Sequence, residues 1–287
     1  MTHFDAYMQR QHLAEATRAR YHRSVALFET WLIEEGLTRE TLSYRDIVAW
    51  LRTMEVGPRT KNAHLTALRH WLSWLVEEGR RLDNPADGLV IRGQRRRLPQ
   101  DLLTREQLDA LYQGYPAGTP AHQRNKAMLG LLVYQGLRVR ELSRLETSDV
   151  DLEGGLITVP GSRQSEGRML WLESKQILAL HIYLQEVRPV LLASTSKQAG
   201  RLFVSAGSGE RLHNALALLM RELRERHTFF KEAKQLRASR LALWLRCYGL
   251  REVQHMAGHR YVSSTERYRA TDLRRLQASL VKHHPLE

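Results

Sequence analysis

The stretch Tyr134-Gln-Gly-Leu-Arg-Val-Arg-Glu-Leu142 stops one helix and starts another in close succession. Gly136 can take the left-handed backbone that ends a helix, and Arg138 opens the next, expected to run to Leu145. Upstream, apolar residues at helical spacing predict helices over about 104–113 and 122–135. Thr104 with Gln107 three residues on forms a capping box for the first of them. Downstream, Gly155-Leu-Ile-Thr-Val-Pro160, the polar turn Gly161–Gly167 and Arg168-Met-Leu-Trp-Leu172 read as a β-hairpin. Helices then return over about 173–186, 211–226, 234–248, 250–257 and 263–268, with a last amphipathic piece at 272–282.

The amino-terminal part is helical throughout. Residues 12–36 form an amphipathic helix, with Thr17 its expected cap, Tyr21, Val25, Phe28, Trp31 and Leu32 on its apolar stripe, and Gly36 at its end. A short helix follows over 44–53. Pro58-Arg-Thr-Lys-Asn-Ala-His-Leu65 opens a longer one that continues through Leu68, Leu72 and Leu75 to Gly79. Asn84-Pro-Ala-Asp-Gly88 and Arg92-Gly-Gln-Arg-Arg-Arg-Leu-Pro99 then break the helical pattern with turn residues and a basic cluster. The expected organisation is a helical domain over 1–88, a basic linker over 89–101, and a second domain over 102–287 whose tail spans 271–287. The fold class is mainly α with one small β-hairpin, in two domains.

The chain has 287 residues, 43% of them apolar and 26% charged, with only 18 Gly and 8 Pro. That is a globular composition, long enough for two cores. No apolar run reaches the roughly 18 residues that span a bilayer, and Met1-Thr-His-Phe-Asp5 lacks a signal-peptide pattern. The single cysteine, Cys247, fits a reducing compartment. The expected location is therefore the cytoplasm, with no membrane partner. Lys and Arg number 44 against 31 Asp and Glu, a formal charge of +13. A basic surface of this kind fits a polyanion, most often nucleic acid. Of the 44 cations 37 are arginine, whose planar fork suits bidentate phosphate contact.

Several chemistries have no counterpart. There is no phosphate-binding Gly-rich loop, no Gly-x-Ser-x-Gly elbow and no two-metal acidic cluster. His255 and His259 lie in His-Met-Ala-Gly-His, which lacks the glutamate of a zinc protease. No metal or cofactor is expected. A metal-free site acting on nucleic acid needs cations around a phosphate and a nucleophile that can be esterified. The second domain supplies Arg138, then Lys234 and Arg237 three apart on one helix, then His259 after the turn Ala257-Gly258, then Tyr268.

In Gly136-Leu-Arg-Val-Arg-Glu-Leu142, Leu236-Arg237, Gly258-His259 and Thr265-Glu-Arg-Tyr268 the chain resembles the tyrosine recombinases, or phage-integrase family, and in particular its compact Xer-like members. Thr17, Tyr21, Phe28 and Trp31 with Asn84-Pro85 look like that family's core-binding, SAM-like domain. The resemblance runs nearly end to end. It implies a C-shaped clamp on double-stranded DNA carrying paired half-sites. It implies attack by Tyr268 on a backbone phosphate, leaving a 3′-phosphotyrosine and a free 5′-hydroxyl. Arg138 and Arg237 would hold the nonbridging oxygens, Lys234 stands where the family has His or Lys, and His259 would donate to the phosphate or help deprotonate Tyr268. Arg59, Lys61, Arg95, Arg96 and Arg97 are the expected DNA contacts outside the catalytic set. The assembly implied is a homo-tetramer, or a hetero-tetramer with a related recombinase.

One position departs from the pattern. The family's hairpin turn usually carries a lysine that assists the leaving 5′-oxygen, whereas Gly161-Ser-Arg-Gln-Ser-Glu-Gly-Arg168 carries none. Arg163 is the nearest substitute, and arginine is a poor proton donor. The expected function is site-specific recombination, in dimer or cointegrate resolution or mobile-element integration. The alternatives are an impaired DNA-binding accessory protein and a DNA-relaxing enzyme of topoisomerase IB type.

Overall fold

The computed structural model describes residues 3–93, 101–193, 200–205 and 212–269. Arg95, Arg96, Arg97 and the tail 271–287 lie outside the described residues. The chain divides into two compact units, Met1–Arg96 and Arg97–Glu287.

The first unit contains α1 (His3–Arg10), α2 (Glu15–Glu34), α3 (Tyr44–Thr53) and α4 (Pro58–Glu77). Two of these differ from expectation. A separate helix precedes residue 12, because His12 takes φ 53° and turns the chain there. α2 consequently begins at Glu15 with Ala14 at its cap, and Thr17 sits within the first turn rather than capping it. The stripe Tyr21, Val25, Phe28 and Leu32 is buried as its spacing requires. It packs on Leu65, Leu68, Leu72 and Leu75 of α4, with Trp50 edge-on to Phe28. Asn84 donates to Arg69 O (3.1 Å) and Ser73 Oγ (2.9 Å), which ties the segment after α4 back onto that helix. Arg59 is exposed and Lys61 half-buried in the first turn of α4.

The second unit is built around α6 (Pro120–Tyr134), whose residues Met128 to Val133 are buried on every side. A helix apolar all round is a central helix. α5 (Arg105–Gln113) and α8 (Ser174–Ile182) pack against it, as does α11 (Ala233–Cys247). The expected capping box of α5 is present: Gln107 N donates to Thr104 Oγ1 (3.3 Å) and Thr104 N to Gln107 Oε1 (3.0 Å). α7 is only Val139–Leu142, shorter than the expected helix to Leu145, and Arg138 is its N-cap rather than its first turn.

The hairpin is β2 (Leu156–Val159) with β3 (Arg168–Trp171), antiparallel in the register Leu156↔Trp171 and Val159↔Arg168. A two-residue strand β1 (Val150–Asp151), not foreseen, completes a sheet of order β1-β2-β3. In β3 Arg168 and Leu170 are buried and Met169 and Trp171 exposed, the alternation of a half-buried strand. α9 (Arg188–Ala193), α10 (His213–Arg226) and α12 (Leu250–Met256) follow, and residues 263–269 are a further helix, α13.

Candidate active site

Glu141 is the point from which the site is assembled. Arg138 caps α7, and the carboxylate of Glu141 returns to it, accepting from the Arg138 backbone N (2.8 Å) and from Nη1 (3.0 Å). The same carboxylate accepts from Arg168 Nη1 (3.1 Å) and Nη2 (2.9 Å) at the head of β3. Arg237 Nη1, from α11, lies 3.8 Å away. The side chain of Arg168 has no exposure and that of Glu141 has 8%. Burial by itself would raise the Glu141 pKa. The hydrogen bonds and charge of Arg168, with Arg138 and Arg237 behind them, overcome that and hold it below the usual carboxylate value.

Two glycines let the backbone approach these arginines. Gly136 (φ 58°) ends α6 and offers its carbonyl to Arg237 Nη1 at 2.7 Å. Gly258 (φ 62°) turns the chain after α12, and a Cβ there would stand 2.7 Å from Arg168 Nη1 and 2.8 Å from Glu166 O. Glu166 N donates to Gly258 O (3.2 Å), so the hairpin turn is bound directly to the turn that presents His259.

Arg237 is buried, and its Nη2 donates to Ala257 O (2.6 Å) and faces His259 Nε2 at 3.2 Å. Desolvation first, then the neighbouring Arg138, pushes its pKa below the ordinary arginine value. His259 is also buried, and its Nδ1 lies 2.8 Å from Thr265 Oγ1. Burial, followed by the charges of Arg237, Arg138, Arg267 and Arg168, pushes its pKa down to about 3, so the imidazole is neutral at pH 7. Its ring lies nearly parallel to that of Tyr268, at 10° with centroids 6.2 Å apart. Tyr268 is 4% exposed, and its hydroxyl accepts from Arg267 Nη2 at 2.7 Å.

Of the residues singled out from sequence, Arg138, Arg237, His259 and Tyr268 come together here. Lys234 does not join them among the described contacts. Its side chain is 88% exposed on the first turn of α11, 3.9 Å from Glu232. Arg163 lies in the exposed part of the hairpin turn. Sequence reasoning missed Glu141, Thr265 and Arg267, and did not count Arg168 among the catalytic candidates. The available signal for Glu141 was its place three residues after Arg138, the spacing of a reciprocal cap. Among the described residues no three His, Cys, Asp or Glu form a metal-holding group. Three guanidiniums share one carboxylate, so the cluster carries two uncompensated positive charges beside a tyrosine hydroxyl. That is a setting for a phosphodiester anion.

Comparison with known proteins agrees. Residues 101–275 match the model of the phage integrase family, and residues 1–79 that family's N-terminal SAM-like domain. The chain belongs to the phage integrase family. It is 30% identical over 303 residues to tyrosine recombinase XerC of Bacillus licheniformis, covering 99% of this chain and 96% of that one. Identity to XerC of Oceanobacillus iheyensis is 29% over 291 residues, with 98% and 94% covered. Identity to XerD of Vibrio cholerae is 28% over 294 residues, with 95% and 91% covered. The fold matches XerH site-specific recombinase bound to difH substrate in a pre-cleavage complex (TM-score 0.67, 18% identity, 88% and 75% covered). It also matches a lambda integrase dimer bound to a COC′ core site (TM-score 0.63, 17% identity, 93% and 75% covered). The protein is a tyrosine recombinase of Xer-like type, an enzyme that transfers DNA strands in site-specific recombination through a tyrosine-linked intermediate. Each of the three sequence relatives is named a tyrosine recombinase, which favours recombination over the DNA-relaxing and accessory alternatives. No helix among the described residues is long and apolar enough to cross a membrane.

Proposed function

We propose that Tyr268 is the nucleophile of this recombinase, and that Arg138 and Arg237 bind the nonbridging oxygens of the scissile phosphate. The observation that carries this is the buried Tyr268 ring stacked on His259, which itself contacts Arg237, inside a cluster with excess positive charge. Tyr268 Oη bonds to phosphorus, the P–O5′ bond breaks, and a 3′-phosphotyrosine retains the bond energy. The 5′-hydroxyl of a second duplex reverses the step and exchanges strands. Arg163 supplies positive charge to the leaving 5′-oxygen, and Lys234 acts on the DNA-bound form from its exposed position.

Residues 1–88 form the core-binding domain, 89–101 the basic linker and 102–287 the catalytic domain, with Arg59, Lys61, Arg95, Arg96 and Arg97 contacting phosphates. Those contacts carry affinity rather than sequence choice. The active species is a homo-tetramer, or a hetero-tetramer with a related recombinase, on two synapsed duplexes, and it works at the bacterial nucleoid. The relatives' coverage of both units supports this assignment. Incubation with nicked candidate DNA followed by a denaturing gel tests it. The parent should form a covalent complex and Tyr268→Phe should bind equally but form none. A complex that persists in Tyr268→Phe would move the nucleophile elsewhere, Tyr261 first, which is 72% exposed.

A further inference from the structure

Thr265 has no part in the scheme above, yet its side chain is fully buried and its hydroxyl lies 2.8 Å from His259 Nδ1. The opposite ring nitrogen, Nε2, lies 3.2 Å from Arg237 Nη2. A guanidinium has only donors. Nε2 facing it must therefore be the unprotonated nitrogen, since two N–H groups would otherwise point at each other inside a buried site. In a neutral imidazole that leaves the proton on Nδ1, and Thr265 Oγ1 accepts it. The neutral form is the one held here, because burial and four neighbouring arginines oppose a charged ring. The position of Thr265 is itself fixed, for its backbone N donates to Val262 O (2.7 Å) in the turn that opens α13.

We infer that Thr265 is a positioning residue that holds His259 in the Nδ1–H tautomer, so that His259 Nε2 accepts the Tyr268 proton during strand cleavage instead of donating one to the phosphate. This rests on the assignment of Tyr268 as nucleophile. A phosphate oxygen is a stronger acceptor for Arg237 than an imidazole lone pair, so DNA in the site releases Nε2. Its negative charge also offsets the arginines that disfavour an imidazolium. The phenol proton then passes to Nε2 as Tyr268 Oη bonds phosphorus. The P–O5′ bond breaks, the departing oxygen takes a proton from water, and the imidazolium returns its proton to the hydroxide left behind. Without the threonine hydroxyl, Nδ1–H is a buried donor with no acceptor, and the ring is free to turn or change tautomer.

The direct test is the long-range ¹⁵N–¹H spectrum of the DNA-free full chain, with the His259 signal identified by its loss in His259→Asn. The expected result is a protonated Nδ1 and a bare Nε2. Thr265→Val, close in shape but without the hydroxyl, should form the covalent complex on nicked DNA roughly 10²-fold more slowly, the scale of general acid–base assistance. Its DNA affinity should be unchanged, and Thr265→Ser should return the rate towards the parent's. A protonated Nε2 in the parent overturns the inference, and that spectrum decides even if Thr265→Val fails to fold. Parent-like cleavage by Thr265→Val overturns it too, as does a serine variant no faster than the valine. A covalent complex surviving in Tyr268→Phe would instead overturn the nucleophile assignment and leave the tautomer standing.

Discussion

Replacing Glu141 by glutamine keeps the volume and removes the charge from the one carboxylate that three arginines share. In the parent that carboxylate accepts four hydrogen bonds, two from Arg168 and two from Arg138. A glutamine amide accepts at one oxygen only, and its NH₂ confronts a guanidinium with another donor. Arg168, with no exposure, is left charged and half-paired. Removing one partner of a buried ion pair costs about 3–5 kcal/mol. For a unit of this size each kcal/mol moves the midpoint by about 2–4 °C, so Glu141→Gln should unfold at least about 6 °C below the parent. The measurement is thermal unfolding, run beside Arg168→Met and the double variant. The double variant should lose clearly less than the sum of the two, because deleting both partners removes the stranded charge. Covalent complex formation should fall in Glu141→Gln more than DNA binding does, since Arg138 loses the group that orients it. A glutamine variant as stable as the parent, or strict additivity with Arg168→Met, would refute the argument that Glu141 organises the site.

Three further outcomes follow from the same geometry. Gly258→Ala should destabilise well beyond Gly155→Ala: both start from a left-handed φ near 60°, but only at Gly258 would the new Cβ meet Arg168 Nη1 at 2.7 Å and a backbone oxygen at 2.8 Å, while at Gly155 it meets one methyl at 3.5 Å; equal losses of urea midpoint would contradict this. Stability should fall with acid. The folded-state pKa of His259, about 3, lies below its ordinary 6.5, so the unfolded chain protonates first and stability is lost as pH drops from 6.5 towards 3. Glu141, held below 4.5, adds a loss of the same sign as pH falls below that value. Urea midpoints at pH 7.5, 6 and 5 check it, and His259→Gln should flatten the upper part of the curve. Arg163→Lys should hold or raise the cleavage rate and Arg163→Ala lower it by roughly 10²-fold, with rescue by a 5′-bridging sulfur; parent-like cleavage by Arg163→Ala would remove Arg163 from the mechanism.

The elements that could be read from the sequence are those set by local rules. The Thr104–Gln107 box, the Gly136 turn and the hairpin over 155–172 each depend on residues close together in the chain, and the structure reproduces them. α1, the cap at Ala14 and the strand Val150–Asp151 were not legible. α1 depends on a left-handed His12, a residue type that carries no strong signal for that conformation. A two-residue strand exists only because Ile157 and Leu156 lie beside it. The site divides in the same way. Arg138, Arg237, His259 and Tyr268 stood out by residue type and order. Glu141 and Thr265 did not, because a residue that positions another is defined by its partner. Lys234 and Arg237, three apart on one helix, show the limit of spacing: one is 88% exposed and the other buried.

The charges in the site explain why it should be more stable around DNA than without it. Arg138, Arg168 and Arg237 bring three positive charges to one negative one, and the pKa shifts of Arg237 and His259 both run in the direction that removes positive charge. Glu141 fixes the arginines in place but leaves two charges unbalanced; with Arg138 and Arg237 in their proposed roles, a bound phosphodiester would partly neutralise these and a pentacoordinate transition state, with more charge on its oxygens, would neutralise them further. The donors are already oriented by Glu141, Gly136 O and Ala257 O before DNA arrives. Little reorganisation then remains for the chemical step, which is the condition under which fixed charges lower a barrier most. The same balance bears on the hairpin, where Arg163 is proposed to take the part of the family's lysine. Glu166 N on Gly258 O and Arg168 on Glu141 bind the β3 side of the hairpin turn to this cluster, and Arg260 Nη2 donates to Ser162 O (3.1 Å) on the side before Arg163. If Arg163 acts there as proposed, its inability to release a proton would cost the acid part of the assistance but not the electrostatic part.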